Sequence, residues 1–145
     1  MDIQIKFEVY KSMKSNLKRA MNAEFYYEAI FIEYAITEDR LASILRHAGV
    51  KYLDNKGNEI KISEKIKKVK GNPIFDSPFV RKRMPIDFLD ELTLWKRDRD
   101  ALIHDLAKIP YNHEEVKQIA ERGQVLVKRL DNAVKSINKH FSQMS

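Results

Sequence analysis

The chain has 145 residues, enough for one domain with a single core, and it contains 43% hydrophobic and 33% charged residues but only 4 Gly and 4 Pro. That poverty in turn-makers argues against an all-β chain and for an all-α one. The absence of Cys excludes disulfides, thiolate metal sites and cysteine catalysis, and the 27 Lys and Arg against 21 Asp and Glu, a net charge of +6, favour anionic partners such as RNA, DNA or an acidic protein.

In chain order, Ile5, Val9, Met13 and Leu17 recur every fourth residue and predict a first amphipathic helix over 3–20, with strand character in Ile3–Phe7 as the minor alternative. The opening segment lacks the apolar core of a signal peptide, and no later stretch reaches the roughly 20 apolar residues of a spanning helix, so a cytoplasmic protein without a membrane partner is expected. Asn22 is read as the cap of a second helix from Ala23 to His47, stopped by Gly49. Its two stripes, Phe25/Ala29/Ile32/Ile36 and Phe31/Tyr34/Leu41/Leu45/Ala48, suit a central helix with neighbours on two sides.

Residues 52–59, containing D-N-K-G-N, predict a turn, and Ile60–Lys70 a short basic helix or irregular arm broken by Gly71-Asn72-Pro73. Pro78 and Pro85 are expected to keep Arg81-Lys82-Arg83 out of a continuous helix, leaving 50–85 as a basic connection with either an anion-binding edge or a solvated loop. Pro85 suits the first turn of a helix over 86–109, whose stripe is Phe88, Leu92, Trp95, Arg99, Leu102, Leu106 and Ile109. Pro110 should stop that helix, and Asn112 with Glu115 forms a capping box for a last helix over 113–141, striped by Val116, Ile119, Gly123, Leu126, Leu130, Ala133 or Val134, Ile137 and Phe141. The expected fold is all-α: one domain over 1–145, an up-and-down bundle of four long helices with an irregular basic connection at 50–85.

Chemistry concentrates in Trp95–Ala107, W-K-R-D-R-D-A-L-I-H-D-L-A. On a helix Asp100 and His104 lie about 40° apart and Arg97 and His104 about 20°, whereas Arg99 projects about 140° from His104. Asp100 is therefore placed to orient the His104 imidazole, and a site using both Arg99 and His104 would form at a junction, most naturally where two copies of this helix meet in a homodimer. Attack of an RNA 2′-hydroxyl on its own phosphate suits these groups. It needs a base, an acid and a cation on the developing negative charge, with no metal or cofactor, and two copies of His104 supply both protonation states.

Arg99-Asp100-Ala101-Leu102-Ile103-His104 resembles the signature of the HEPN family of small α-helical ribonucleases, R-x(4–6)-H with a polar residue after the Arg, in a late helix of the bundle. Arg97 to His104 fits the looser spacing, and Arg40 to His47 fits it too, but Leu41 follows Arg40, and that pair reads better as the basic end of the second helix. The resemblance implies a metal-independent endoribonuclease acting as a homodimer, often a toxin or defence effector with a neutralising antitoxin partner. Arg99, His104 and Asp100 would be its catalytic residues, and Arg97, Arg81, Lys82 and Arg83 would contact RNA phosphates. Two alternatives stand beside it: an interaction module in which Arg99 is locked to Glu33 or Glu38, and an RNA- or DNA-binding protein without cleavage, using Lys61–Lys70 and Arg81–Arg83.

Overall fold

A computed structural model describes residues 3–108, 110 and 112–144. These form helices α1 (Ile3–Asn22), α2 (Tyr26–His47), α3 (Ile62–Gly71), α4 (Pro78–Arg83), α5 (Ile86–His104) and α6 (His113–Met144), with a 3-10 turn at Pro73–Phe75. The all-α class is as expected. The described residues contain no strand, only an isolated bridge between Leu53 and Glu59 that closes the 52–59 turn.

The chain divides into two compact units, one of Met1–Ile36 and Trp95–Val125, the other of Thr37–Leu94 and Leu126–Ser145. In the first, Ala29, Ile30, Glu33, Trp95, Val116, Ile119 and Ala120 are buried. In the second, Leu41, Ile44, Leu45, Ile66, Val69, Phe75, Phe88, Leu130, Val134 and Ile137 form the core. The α6 stripe is buried from Val116 to Ile137 and loosens at half-buried Phe141. In α1 the expected stripe is buried at Leu17 and half-buried at Met13, while Ile5 and Val9 are exposed.

Two boundaries differ from the sequence reading. Asn22 is the last residue of α1 rather than the cap of α2, because Glu24 adopts φ +60 and the chain turns there. Glu24 N donates to Met21 O and Phe25 N to Ala20 O, a Schellman closure with Glu where Gly is usual. At the end of α2 the same closure uses Gly49, at φ +73, with Gly49 N on Arg46 O and Val50 N on Leu45 O.

As expected, Arg81-Lys82-Arg83 stay out of a continuous helix: they end the six-residue α4, whose start Ser77 caps by accepting from Val80 N at Oγ and Pro78 opens, since the first turn needs no N–H. Finally, α5 ends at His104 instead of 109. The chain passes into i→i−3 turns, with Leu106 N on Ile103 O and Lys108 N on Asp105 O. Ile109, the last member of the expected stripe, lies outside the described residues. The Asn112 cap of α6 forms, its Oδ1 accepting from Glu115 N at 3.1 Å.

Candidate nucleic-acid site at the end of helix α5

Helix α5 is fixed within the first unit by Trp95, fully buried, whose Nε1 donates to Ile119 O of α6 at 3.0 Å. One turn on, Arg99 continues the same face, but it meets α2 where the aromatic side chains lie. Its guanidinium carbon is 3.9 Å from the centre of the Tyr34 ring and 5.7 Å from that of Phe31, and Nη1 donates to Asp100 Oδ1 at 3.0 Å. A cation laid on an aromatic face keeps its charge while shedding part of its water. The Arg99 side chain is 15% exposed, its Nε is buried without a partner, and Nη2 has no hydrogen-bond partner among the described residues. The pairing with Glu33 or Glu38 is replaced by the Tyr34 stack.

His104 stands at the C-terminal end of α5 with its side chain 69% exposed. Its Nδ1 lies 3.1 Å from Asp105 Oδ1. A carboxylate at Nδ1 favours the tautomer that carries its proton there and leaves Nε2 without one. Asp105 is therefore the residue that orients this imidazole. Asp100, expected in that role, is committed elsewhere: Oδ2 to Lys96 at 2.7 Å and Oδ1 to Arg99. Helical spacing pointed to Asp100, one turn before His104 on the same helix, but its carboxylate is paired with Lys96 and Arg99, and the imidazole contacts the adjacent Asp105.

Arg97 is exposed on α5. Arg99 and His104 are five residues apart, which is about 7.5 Å along a helix with roughly 140° between them, so within one chain they face different directions. A small pocket is lined by Tyr27, Ala101, Leu102, Asp105, Leu106, Pro110, Asn112 and Glu115, so that Asp105, the His104 partner, shares it with Tyr27 of α2.

The basic segment of the second unit is structural at two of its three positions. Arg81 Nη2 donates to Val69 O and Lys70 O, carbonyls of the last turn of α3, and to Asp76 at 2.9 Å, so this cation closes a helix end instead of waiting for phosphate. Arg83 lies 3.5 Å from the centre of the Phe79 ring, with His140 stacked on the same phenyl ring at 4.1 Å. Lys82 alone of the three is exposed. The other spacing match dissolves similarly: Arg40 pairs with Asp39 at 2.7 Å and lies 3.7 Å from Asp131, while His47 bonds Ser43 O within its own helix.

Glu33 is fully buried on α2, where burial pushes its carboxyl up to about 9. It fits because Gly123 of α6 has no side chain: a Cβ there would stand 2.7 Å from Glu33 Cδ and 2.7 Å from Trp95 Nε1. Among the described residues no group of three or more His, Asp or Glu could hold a metal ion, and no helix is long and apolar enough to cross a membrane.

Compared with protein families, characterised proteins and solved structures, the chain has no match in any of the three.

Proposed function

We propose that the protein is a HEPN-like endoribonuclease that cleaves RNA without a metal, through a site completed by a second copy of the chain. The observation that carries this reading is the division of labour at the end of α5: a desolvated guanidinium with a free Nη2 on Tyr34, and an exposed imidazole whose Nδ1 is held by Asp105. In the proposed reaction the free Nε2 of one His104 removes the proton from the 2′-hydroxyl. The 2′-oxygen forms a bond to the adjacent phosphorus, the bond from phosphorus to the 5′-oxygen breaks, and the protonated His104 of the second copy gives that oxygen its proton. Arg99 supplies charge to the phosphoryl oxygens as negative charge grows on them. The products are a 2′,3′-cyclic phosphate and a 5′-hydroxyl.

A homodimer is part of the proposal because one His104 cannot be base and acid at once, and because Arg99 and His104 diverge on one helix. An RNA-toxin role with a neutralising partner belongs to the same reading, by resemblance of Arg99–His104 to the HEPN signature. RNA incubated with a chelator and either the wild-type chain or His104→Ala tests it: cleavage by the first and none by the second is expected, and equal cleavage by both rejects it.

A second reading draws on a specific contact. Arg99 already has Asp100 and Tyr34 as partners, and a cation so held fits an interaction module as well. Arg99→Ala separates the two, since it removes RNA binding in the enzyme and lowers only stability in the module.

A further inference from the structure

Tyr27, Phe31 and Tyr34 follow one another on α2 at spacings of four and three, and so share one face of that helix. The three differ in what they do there. Tyr34 carries the Arg99 guanidinium, and Tyr27 lines the pocket that also holds Asp105, the His104 partner. Phe31, between them, is 50% exposed although Ile30 beside it is fully buried, and its ring centre is 5.7 Å from the Arg99 guanidinium carbon. An aromatic ring left in water, one nucleotide's reach from a cation with a free N–H, is the pairing used to hold an unpaired base and its phosphate together.

From this placement we infer that Phe31 is a base-stacking platform. The protein takes single-stranded RNA, with a base flat on Phe31, its phosphate on Arg99 Nη2 and the next nucleotide directed along the stripe toward Tyr27 and Asp105. The inference rests on the ribonuclease reading and adds to it the residue that grips the substrate base, one that discriminates against duplexes because a base inside a duplex presents no free face to Phe31. Tyr34 is then a positioning residue: it holds the guanidinium in register with the platform and touches no base.

The test uses fluorescence anisotropy with two short labelled strands that cannot be cleaved, a 2′-deoxy oligouridine and the same strand with abasic sugars throughout. Phe31→Leu is expected to weaken binding of the base-bearing strand roughly ten-fold, within the range that stacking of one base supplies, and to leave the abasic strand unchanged; Phe31→Trp should restore it. A duplex of the same length should bind the wild-type chain and Phe31→Leu alike. Equal loss on both strands, or no loss on either, overturns the platform, as does a Phe31→Leu chain whose sole change is a smaller assembly by light scattering. Arg99→Ala distinguishes the two levels of the argument. Loss of both strands in Arg99→Ala with none in Phe31→Leu retains the phosphate site and rejects the platform, whereas a wild-type chain that binds neither strand rejects the ribonuclease reading and the platform with it.

Discussion

Gly123 of α6 lies directly against Glu33 of α2, so closely that a methyl group on it would also strike Trp95 Nε1. Trp95 is the residue that ties α5 to Ile119, one turn before Arg99. Small size at 123 therefore supports the seating of the helix that bears the candidate site.

Gly123→Ala should consequently destabilise the chain, although alanine is the better helix former. Overpacking of a closed interior costs about 1–3 kcal/mol, against up to about 1 kcal/mol gained in helix propensity. A lower denaturant midpoint at unchanged slope is the expected result. A midpoint equal to or above the wild type would show that Glu33 and Trp95 can move aside.

The same buried carboxyl makes stability depend on pH. Its folded value is raised to about 9, so from about 4.5, the ordinary value, up to about 9 the folded state holds a proton that the unfolded state has released. Unfolding is then favoured increasingly as pH rises through that window, by up to roughly 1.4 kcal/mol per pH unit from this one group. Urea midpoints measured at pH 5.5 and pH 8.5 should fall for the wild type, and Glu33→Gln, which stays neutral, should flatten the fall. Parallel curves for the two proteins would contradict the buried neutral acid.

Arg81 and Lys82 should separate by the kind of effect each has. Arg81→Ala removes donors to Val69 O, Lys70 O and Asp76 and should cost about 1–3 kcal/mol of stability. Lys82→Ala should leave stability within about 0.5 kcal/mol. A thermal melt of both variants checks this, and the reverse order would return Arg81 to the pool of free cations.

Tyr34→Phe keeps the aromatic face beneath Arg99, and Tyr34→Leu removes it. RNA cleavage should survive the first substitution within about two-fold and fall roughly ten-fold in the second, mainly through weaker binding, since a cation on an aromatic face gains about 0.5–2 kcal/mol. Equal activity in the two variants would mean that Asp100 alone holds the guanidinium.

Helix periodicity and stop signals made much of the fold legible: Gly49 ends α2, Asn112 opens α6, and the stripe from Val116 to Ile137 is buried as spaced. The end of α1 was hidden because Glu24 takes the left-handed conformation usually marked by Gly, so Asn22 read as a beginning. The end of α5 was hidden because no Gly or Pro stands at 105, while apolar spacing runs on through Leu106. Asp105 rather than Asp100 partners His104 because Lys96 and Arg99 take the Asp100 carboxylate, pairings that helical spacing to His104 does not reveal. Arg81 looked like a phosphate contact because its two carbonyl acceptors, Val69 and Lys70, are distant in sequence and known only from the folded chain. Phe31 was read as a member of a buried stripe, and only its exposure beside Arg99 distinguishes it from Leu41 and Leu45.

The central claim is tested most directly by the ends of the RNA fragments. Purified wild-type chain, incubated with single-stranded RNA in excess chelator, should yield fragments that carry a 2′,3′-cyclic phosphate and a 5′-hydroxyl, while His104→Ala, melting within a few degrees of the wild type, yields none. The same fragments at the same rate from His104→Ala would contradict it.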